Sequence, residues 1–409
     1  MSKIKIKNFG PIKAGCTENG GWIDIKKVTL FIGNQGSGKS TVAKLISTLT
    51  WLEKAMVKGI LQPSGIFSKK QFEKYLAYQK LGNYLNKGSI IHYIGNAFEF
   101  KFNGDFLRIS KNENNGYLLP KIMYVPAERN FLSVVDRPDR LRNLPATLYT
   151  FNDEYDLAKN KYASGIELPI NGTRFVYDKL NKIAHIFDNQ KGYRLRLSEA
   201  SSGFHSTVPL FLTTKFLTEE LHKEEDVSKK ENSLEDERKL EKEIKQILED
   251  KSLTPDVRQA YLRQLSAKRK PACFINIVEE PELNLFPKSQ KDVLFSLVQY
   301  ANNDEGNKLV ITTHSPYFIN YLTLAVKAFN VKHSLTNSEA IEKLTAIVPI
   351  TSIVNPDDLI IYQLDEATGT ISRLENYKGL PSDENYLNES LGETNELFAQ
   401  LQQIEKGWL

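Results

Sequence analysis

Cysteine is scarce in this chain of 409 residues, which contains only Cys16 and Cys273. Two cysteines so far apart in sequence exclude a disulfide scaffold and a cysteine-based zinc site, and this usage is typical of a reducing cytoplasm. Long apolar runs are missing as well, because no window approaches the roughly 18 consecutive apolar residues of a membrane span. The charged start MSKIKIKNFG does not have the pattern of a signal peptide. We therefore expect a cytoplasmic protein that does not span a membrane.

A strong excess of either charge is also absent. Lys and Arg number 54 against 50 Asp and Glu, so the formal net charge is +4, which is too small to indicate nucleic acid by itself. Basic residues cluster in DRPDRLRNLP, 136–145, and in KGYRLRL, 191–197. A basic patch and a solvated face with local ion pairs are both open interpretations of these two segments.

Hydrophobic periodicity predicts a protein that mixes strands and helices. IKIKNFGPIK and WIDIKKVTLFIG have strand patterns, and the second enters a Gly-rich turn before STVAKLISTLTWLEKAMVKG, which has helical spacing. SIIHYIGNAFEFKFNGDFLRIS predicts hairpin strands that turn at Asn103-Gly104. KIMYVPAERN predicts a short strand and a loop, and residues 130–190 a helical and irregular region.

The last third of the chain has equally clear patterns. QKDVLFSLVQYANN predicts a helix, and KLVITTHSPYFINYL predicts a buried strand that leads into a helix. PDDLIIYQLDEATGTISRLE predicts a hairpin, and ENYLNESLGETNELFAQLQQIEK predicts a closing helix.

The composition changes abruptly after Leu217. Most of the following residues are charged, with a thin apolar stripe at Leu240, Ile244, Ile247 and Leu248. In LTPDVRQAYLRQLSAKRK, a Thr suited to a helix N-cap stands before a Pro suited to the first helical position. We predict a protruding helical hairpin over residues 219–269, and a disordered charged insertion is the alternative.

GNQGSGKST, residues 33–41, has the phosphate-binding loop pattern G-x4-G-K-[ST] between an apolar strand, VTLFI, and a helix. Glycines let the backbone amides turn toward phosphates, and the helix N-terminus favours their charge. We expect Lys39 to hold the β- and γ-phosphates, Ser40 to ligate Mg²⁺ and Thr41 to reach the α-phosphate. The residues assigned to the nucleotide by this P-loop are Gly33, Asn34, Gln35, Gly36, Ser37, Gly38, Lys39, Ser40 and Thr41.

The apolar strand in CFINIVEEPELNLFP ends on carboxylates. A magnesium nucleotide needs a carboxylate near the metal, and hydrolysis needs a group that orients or deprotonates water. We expect this strand to lie next to the P-loop strand, with Glu279 at the metal and Glu280 at the γ-phosphate and the attacking water. Glu282 is either a further catalytic candidate or an acid at a helix start, where the helix dipole favours it.

Two further turns offer ligands to an anion. In VITTHSPYF, His314 follows the apolar run LVITT and is expected to hydrogen-bond the γ-phosphate or the catalytic water. In LSEASSGFHS, Ser201, Ser202 and Gly203 offer hydroxyls and backbone amides at the start of an apolar helix. An ordinary helix cap is the alternative for this second turn.

The order of these motifs along the chain resembles that of ABC-type ATPase heads of the RecF, SMC and OLD kind. The likeness covers the start of the chain and about residues 195–330, and NFG near the N-terminus together with EEPELNLFP is most similar to the OLD-like branch. It implies an α/β fold, an ABC-type ATPase head with a mixed sheet around the P-loop core and a helical or coiled-coil hairpin insertion. The segments that it implies are a nucleotide-binding core, 1–50, 195–218 and 270–370, a β-hairpin and helical lobe, 51–194, the charged hairpin, 219–269, and a C-terminal helical tail, 371–409.

The resemblance also implies how two copies combine around ATP. In this family the small-residue signature acts in trans, so Ser201, Ser202 and Gly203 would contact the γ-phosphate held by a second copy in a homodimer or higher homo-oligomer. YVPAER resembles the segment at the family's Q-loop, which implies that Arg129 lies near the nucleotide. An ion pair between Glu128 and Arg129 is the alternative.

Several features depart from the family pattern. The signature is SEASSG rather than LSGGQ, and Phe286 stands where OLD-like relatives often carry His. About 95 residues follow His314, with no Toprim-like glutamate followed by a DxD cluster, and PDD at 356–358 is better interpreted as a turn. We therefore expect an ATPase, which converts ATP to ADP and phosphate, without a nuclease of its own.

Stand-alone OLD-like ATPases with a helical insertion resemble the ATPase subunits of bacterial antiphage systems, and the PARIS type is the most similar. This resemblance implies a sensor or scaffold that uses ATP and Mg²⁺ and controls a separate effector, a Toprim nuclease, in response to a phage-derived trigger. A RecF- or SMC-like clamp that binds DNA in repair or recombination is the alternative.

Overall fold

The computed structural model describes residues 2–61, 65–112, 116–135, 138, 143–188, 190–221 and 271–407. The predicted helical hairpin, 219–269, therefore lies outside the described residues beyond its first three positions. Among the helices that are described, none has the length and apolar character needed to cross a membrane.

The described residues alternate between short strands and helices along most of the chain. The strands are β1 (Ser2–Lys7), β2 (Gly15–Cys16), β3 (Ile23–Ile25), β4 (Val28–Gly33), β5 (Gly65–Ser68), β6 (Ile90–Ile94), β7 (Phe98–Phe102), β8 (Phe106–Lys111), β9 (Pro120–Val125), β10 (Ile166–Glu167), β11 (Thr173–Asp178), β12 (Ile183–Asp188), β13 (Tyr193–Arg196), β14 (Cys273–Glu279), β15 (Lys308–Thr313), β16 (Leu359–Leu364), β17 (Thr370–Arg373), β18 (Asn376–Tyr377) and β19 (Leu380–Pro381). The α-helices are α1 (Lys39–Val57), α2 (Lys69–Ala77), α3 (Phe131–Val134), α4 (Ala146–Lys161), α5 (Ser202–Leu221), α6 (Pro287–Asn302), α7 (Pro316–Lys332), α8 (Ser338–Ile347) and α9 (Tyr386–Glu405).

A seven-stranded sheet forms the centre of the described fold, in the order β2-β17-β16-β4-β15-β14-β9. The strands β16, β4, β15, β14 and β9 run parallel to their neighbours in this order, whereas β17 is antiparallel to β16. Every residue of β4 is buried, as expected for a strand covered on both faces. The α/β fold class with a mixed sheet around the P-loop is therefore confirmed.

One detail of the predicted sheet is wrong. The acidic strand β14 was expected beside the P-loop strand β4, but β15 lies between them and pairs with both. Strand β15 ends at Thr313. The turn at His314 therefore lies between the P-loop, which follows β4, and the carboxylates at the end of β14.

A second, six-stranded antiparallel sheet packs over the P-loop helix, in the order β3-β1-β6-β7-β8-β5. Side chains of α1, such as Leu45 and Leu49, share one apolar cluster with Ile4 of this sheet and with Val310 of the central sheet. The helix is thus held between two sheets. The predicted hairpin is also confirmed, because β7 and β8 pair across a turn in which Gly104 has a φ of 98°.

The opposite face of the central sheet carries the larger apolar cluster, which joins α4, α5, α6 and α7 to the four-stranded antiparallel sheet β10-β11-β12-β13. This small sheet corrects the prediction of a helical and irregular region over 130–190, because α3 and α4 are the only α-helices among the residues of that region that the structure describes. Its strand β11 alternates buried and more exposed residues, as a sheet with one covered face requires.

Several elements of the central fold cross the segment limits that the resemblance implies. Strand β9, which belongs to the segment 51–194, pairs with β14 in the central sheet, and α1 extends past residue 50 to Val57. At the other end, β17 of the segment 371–409 pairs with β16 in the same sheet, whereas α9 confirms the predicted closing helix.

Candidate functional site

The P-loop forms where β4 ends and α1 begins, and its glycines have backbone geometry that other residues adopt only with strain. Gly33 has a φ of 141°, and a Cβ at this position would overlap the carbonyl oxygen of Leu364 on β16. Gly38 caps α1 with a φ of 102°, and a Cβ there would lie 3.1 Å from Ile12 and from Pro11. The first glycine therefore permits close packing of the sheet and the second the turn into the helix.

Lys39 is the buried cation of this loop. Its side chain is only 5% exposed, and Nζ donates to the carbonyl oxygens of Gly33 and Asn34 at 2.8 Å each. Burial lowers the pKa of Lys39 to about 8, and surrounding carboxylates, of which Glu280 contributes most, oppose this shift. An ammonium group has three donors, so one remains for a ligand.

The end of β14 places two consecutive carboxylates beside this loop. Glu279 is 4% exposed, and its Oε1 lies 3.9 Å from Nζ of Lys44 on α1 with no hydrogen-bond partner. Glu280 follows with a φ of 43°, a left-handed conformation that is unusual for this residue type. The backbone therefore turns sharply at Glu280, and the two adjacent side chains take different directions.

His314 lies at the end of the intervening strand β15, as the sequence predicts. Its Nε2 is 3.5 Å from Oε1 of Glu280, and this contact is the main cause of the lowered pKa of Glu280. Glu282 has a structural partner in the same turn, because its Oε1 accepts a hydrogen bond of 2.7 Å from the backbone amide of His314. Glu282 does not start a helix, since α6 begins at Pro287, and that interpretation is corrected.

Arg129 is brought to the site, but not as an exposed ligand of a nucleotide. The side chain is 0% exposed, and its guanidinium donates to backbone carbonyl oxygens, including those of Glu279 and Glu280. Burial lowers the pKa of Arg129 to about 10. The alternative ion pair with Glu128 is not among the contacts of the described residues. The structure shows Arg129 in contact with the backbone of the acidic turn, and its contact with a nucleotide stays a prediction.

The turn Ser201–Gly203 contacts the loop after β14. Ser201 and Ser202 are exposed at the start of α5, whereas Gly203 is buried against the loop after β14. A Cβ on Gly203 would lie 3.0 Å from the carbonyl oxygen of Asn284. Within the described residues, no hydrogen bond or ion pair joins this turn to residues 33–41.

Sequence motifs do not indicate a cavity of about 800 Å³ that opens beside the P-loop. Gly33, Asn34 and His314 line one side, and the start of α9 lines another. The remaining lining is strongly acidic, with Asp365, Glu366, Glu389, Glu393 and Glu396. Nδ2 of Asn34 donates to Oε1 of Glu366 at 2.8 Å, across 332 residues of sequence. Acidic residues on a predicted surface helix are common, so no sequence signal singles these out.

The charge balance of the site fits a nucleotide that arrives with a cation. Four carboxylates, of which Glu280 contributes most, oppose the lowering of the pKa of Lys39 by burial. Lys44 is a second nearby ammonium, 3.9 Å from Oε1 of Glu279, and that buried oxygen has no hydrogen-bond donor among the described residues. A bare triphosphate would be repelled by such a set, whereas Mg²⁺ offsets the charge of both partners. Among the residues that the structure describes, no group of three or more His, Cys, Asp or Glu side chains holds a metal by itself, so the phosphates would complete the ligand set.

Comparison with known proteins gives one family match. Residues 257–319 match the family model described as "AAA ATPase domain", a segment that contains β14, α6 and β15 with their terminal Glu280 and His314. No curated protein matches the sequence.

Solved structures with weak overall likeness include two SMC head domains and one ATP-binding cassette. An SMC head domain from Thermotoga maritima is 10% identical, with 92% of this chain and 98% of that chain covered and a TM-score of 0.37. An Smc head domain bound to the C-terminal domain of ScpA, derived from Pyrococcus furiosus, is 8% identical, with 98% and 100% covered and a TM-score of 0.35. A dimeric ATP-binding cassette bound to ADP and Pi is 12% identical, with 92% and 100% covered and a TM-score of 0.30. The fold assignment rests on the sheet order and not on these scores.

Proposed function

We propose that this chain binds and hydrolyses ATP with Mg²⁺ between two copies of itself, and that this cycle controls a separate effector. The observation that carries the ATPase proposal is the convergence of three sequence-distant turns. Lys39 starts the helix after β4, and Glu280 and His314 directly follow β14 and β15. These strands are neighbours in the central sheet, in the order β4-β15-β14, and all three run parallel. The match of residues 257–319 to an ATPase family model supports the same activity.

Each of these residues has a distinct part in hydrolysis. Lys39 holds the β- and γ-phosphates, and the amides at the start of α1 share their charge. Ser40 and Glu279 would hold Mg²⁺, which supplies positive charge to the phosphates when bound. Glu280 orients and deprotonates the attacking water, and its lowered pKa keeps it ionised at neutral pH. His314, 3.5 Å from Glu280, is placed to hydrogen-bond the water or the γ-phosphate.

A second copy supplies the remaining ligands in this proposal. Ser201 and Ser202 are exposed at a helix N-terminus, which favours an anion, and they contact no residue of their own P-loop among the described contacts. The resemblance to ABC-type heads, in which the signature acts in trans, accounts for this separation. Two such chains would enclose two ATP molecules.

The effector is the part of the proposal that rests on the resemblance alone. The motif order and OLD-like features favour an antiphage ATPase of the PARIS type, whose partner would be a Toprim nuclease and whose trigger would come from the phage. Purification of the tagged chain from its native cells, followed by mass spectrometry, tests this assignment. Stoichiometric recovery of a nuclease supports it, whereas recovery of the chain with recombination proteins alone contradicts it.

A DNA-binding clamp is the second candidate function, and one observation favours it. All four residues of the edge strand β13 are exposed, and they include Arg194 and Arg196. Salt-sensitive binding of duplex DNA that weakens when both arginines are replaced by Gln would favour this function. Arg174→Gln, on strand β11 of the same sheet, is the matched control.

The ATPase itself is tested by steady-state release of phosphate from Mg·ATP by the purified chain. We expect turnover that disappears when EDTA removes the metal and returns with added Mg²⁺. Absence of both turnover and ATP binding in the folded wild-type chain would refute the proposed activity.

A further inference from the structure

The guanidinium of Arg129 is the most heavily engaged buried charge near the site. Nε donates to the carbonyl of Ser206 at 3.0 Å, and Nη1 donates to Pro126 at 3.1 Å and to Glu279 at 2.7 Å. Nη2 donates to Glu280 at 2.8 Å. Every acceptor is a backbone carbonyl, so the Arg129 side chain links backbone segments to one another by hydrogen bonds.

These bonds join three elements that are distant in sequence. Pro126 directly follows β9, Glu279 ends β14 and Glu280 follows it, and Ser206 lies in the first turns of α5. Two additional contacts connect α5 with the loop after β14. Nδ2 of Asn284 donates to Oγ of Ser206 at 3.2 Å, and Gly203 packs closely against the carbonyl of Asn284. The start of α5 and the acidic turn therefore meet along a continuous junction.

The backbone of Glu280 is strained, and the hydrogen bonds from Arg129 can stabilise it. Its left-handed backbone, with a φ of 43°, is disfavoured by about 1–2 kcal/mol for a residue with a side chain. Two of the Arg129 bonds end on the carbonyls of Glu279 and Glu280, on either side of the Glu280 amide and Cα. The fork of a guanidinium fits several carbonyls at once, whereas an ammonium group on a flexible stem does not fix their relative positions.

We propose that Arg129 is a positioning residue that couples the Ser201–Gly203 turn to Glu280. It holds the backbone of Glu280 in its left-handed conformation and ties that backbone to the helix that begins with the turn. Engagement of Ser202 by the nucleotide of a second copy would then move or fix Glu280 in the first copy, so that water attack depends on assembly. This inference rests on the proposed function, because it assigns regulation to the same ATP site.

The principal test is Arg129→Lys, which keeps the positive charge and removes the fork. We expect kcat to fall between about tenfold and a hundredfold, as displacement of a catalytic group does, while the Kd of ATP changes less than about threefold. The matched control is Arg174→Lys, because Arg174 is exposed and donates to the carbonyl of Ser164 away from the site. A residue with a merely structural role would lower the Tm without separating kcat from Kd.

A second variant keeps the test decisive if Arg129→Lys does not fold. Asn284→Gly retains the residue's positive φ of 61° and removes only the bond to Ser206 Oγ. We expect Asn284→Gly to lose less kcat than Arg129→Lys, with unchanged ATP affinity. In the double variant, the fold-loss of kcat should be smaller than the product of the two single fold-losses, because both residues act on one junction. Hydrogen exchange should quicken at the amides of Leu283 and Leu285, which bond within this loop.

The outcomes separate the inference from the function on which it rests. If the wild-type chain hydrolyses ATP and both variants have the same kcat as the wild type, the positioning role of Arg129 is overturned and the ATPase assignment still stands. An equal loss of affinity and kcat in Arg129→Lys would make Arg129 a nucleotide ligand instead. A folded wild-type chain that neither binds nor hydrolyses ATP would overturn the proposed function and this inference together.

Discussion

At the scale of single residues, the charge of Lys39 depends on pH in a range that is easy to measure. Burial lowers its pKa to about 8, so in the free protein the ammonium is charged below that pH and neutral above it. We expect the affinity for ATP to fall by up to about tenfold per pH unit above this pKa, because a neutral amine no longer attracts the phosphates. Calorimetric titration of the wild-type chain with a non-hydrolysable ATP analogue on both sides of the pKa measures this, because Glu280, which opposes the lowering of the pKa of Lys39, stays in place. The residual ATP affinity of Lys39→Ala should not show the same dependence on pH, because this variant lacks the titrating amine.

Replacing Lys39 by Ala should abolish useful nucleotide binding. The substitution removes a buried cation whose free donor faces the phosphates, and charged hydrogen bonds of this kind correspond to a loss of about a hundredfold or more in affinity. Fluorescent ATP titration checks the loss. Lys343→Ala is the control, because Lys343 is exposed and pairs with Glu339 on α8. Wild-type affinity in Lys39→Ala would refute the P-loop assignment.

Replacing Glu280 by Gln should separate binding from turnover. The amide keeps the shape of the side chain but accepts no proton from water, so kcat should fall by about a hundredfold or more while ATP remains bound. Phosphate release and equilibrium binding measured on one preparation give both quantities, with Glu339→Gln as the control. Hydrolysis at nearly the wild-type rate would transfer the catalytic role to Glu282 or another group.

The sequence predicts those site residues whose role follows from a short motif. Lys39 lies in the P-loop, and Glu280 and His314 end strands that the sequence marks as buried. Arg129 and Glu366 are different, because their contacts span 151 residues to Glu280 and 332 residues to Asn34. No local spacing encodes a contact of that kind, and it appears only once the strand order is known.

At the scale of elements, the P-loop turn depends on two glycines to different degrees. Gly36 has a φ of 77° with nothing within 4 Å of an added Cβ, whereas a Cβ on Gly33 would overlap the backbone of β16. We expect Gly36→Ala to lower the free energy of unfolding by about 1 kcal/mol, the cost of a left-handed residue with a side chain. Gly33→Ala should cost more, because β16 must also move. Denaturant unfolding of both variants compares them, and equal losses would contradict the packing role of Gly33.

Strand and helix predictions succeed where the hydrophobic periodicity is strong, and they fail where a strand forms only because it pairs with a neighbouring strand. The buried run of β4 and the alternation of β1 identify both strands, and α9 follows its apolar spacing. The sheet β10-β11-β12-β13 was missed, since β10 has two residues and β13 is exposed throughout. Such strands form because a neighbour offers hydrogen bonds, and not because of their own pattern.

At the scale of the whole molecule, the proposed assembly predicts complementation between two inactive variants. Lys39→Ala has an intact Ser201–Gly203 turn, and Ser202→Arg has an intact P-loop but a bulky side chain at the exposed turn. Each should be inactive alone, and an equal mixture should recover up to about a quarter of the wild-type rate, since half of the dimers are mixed and each has one site with an intact P-loop and an intact turn. A lower recovery is expected if the blocked turn of the Ser202→Arg copy impairs Glu280 of that same copy. Phosphate release from the mixture measures this. Affinity capture of one variant through a tag on the other controls for exchange. An exchanged mixture with no turnover above that of either variant alone would contradict a site shared in trans.

The central position of β4 has a consequence for how the protein is made. Val28 pairs on one side with Leu309 and on the other with Leu359, so the P-loop strand lacks both neighbours while the ribosome translates the intervening codons. At about 5–20 residues per second, the interval lasts roughly 15–70 seconds. During this period the P-loop turn is attached to an apolar strand, β4, that is not yet paired in a sheet. ATP binding thus arises late in each round of translation, and a nascent chain stalled before β16 would have no finished nucleotide site.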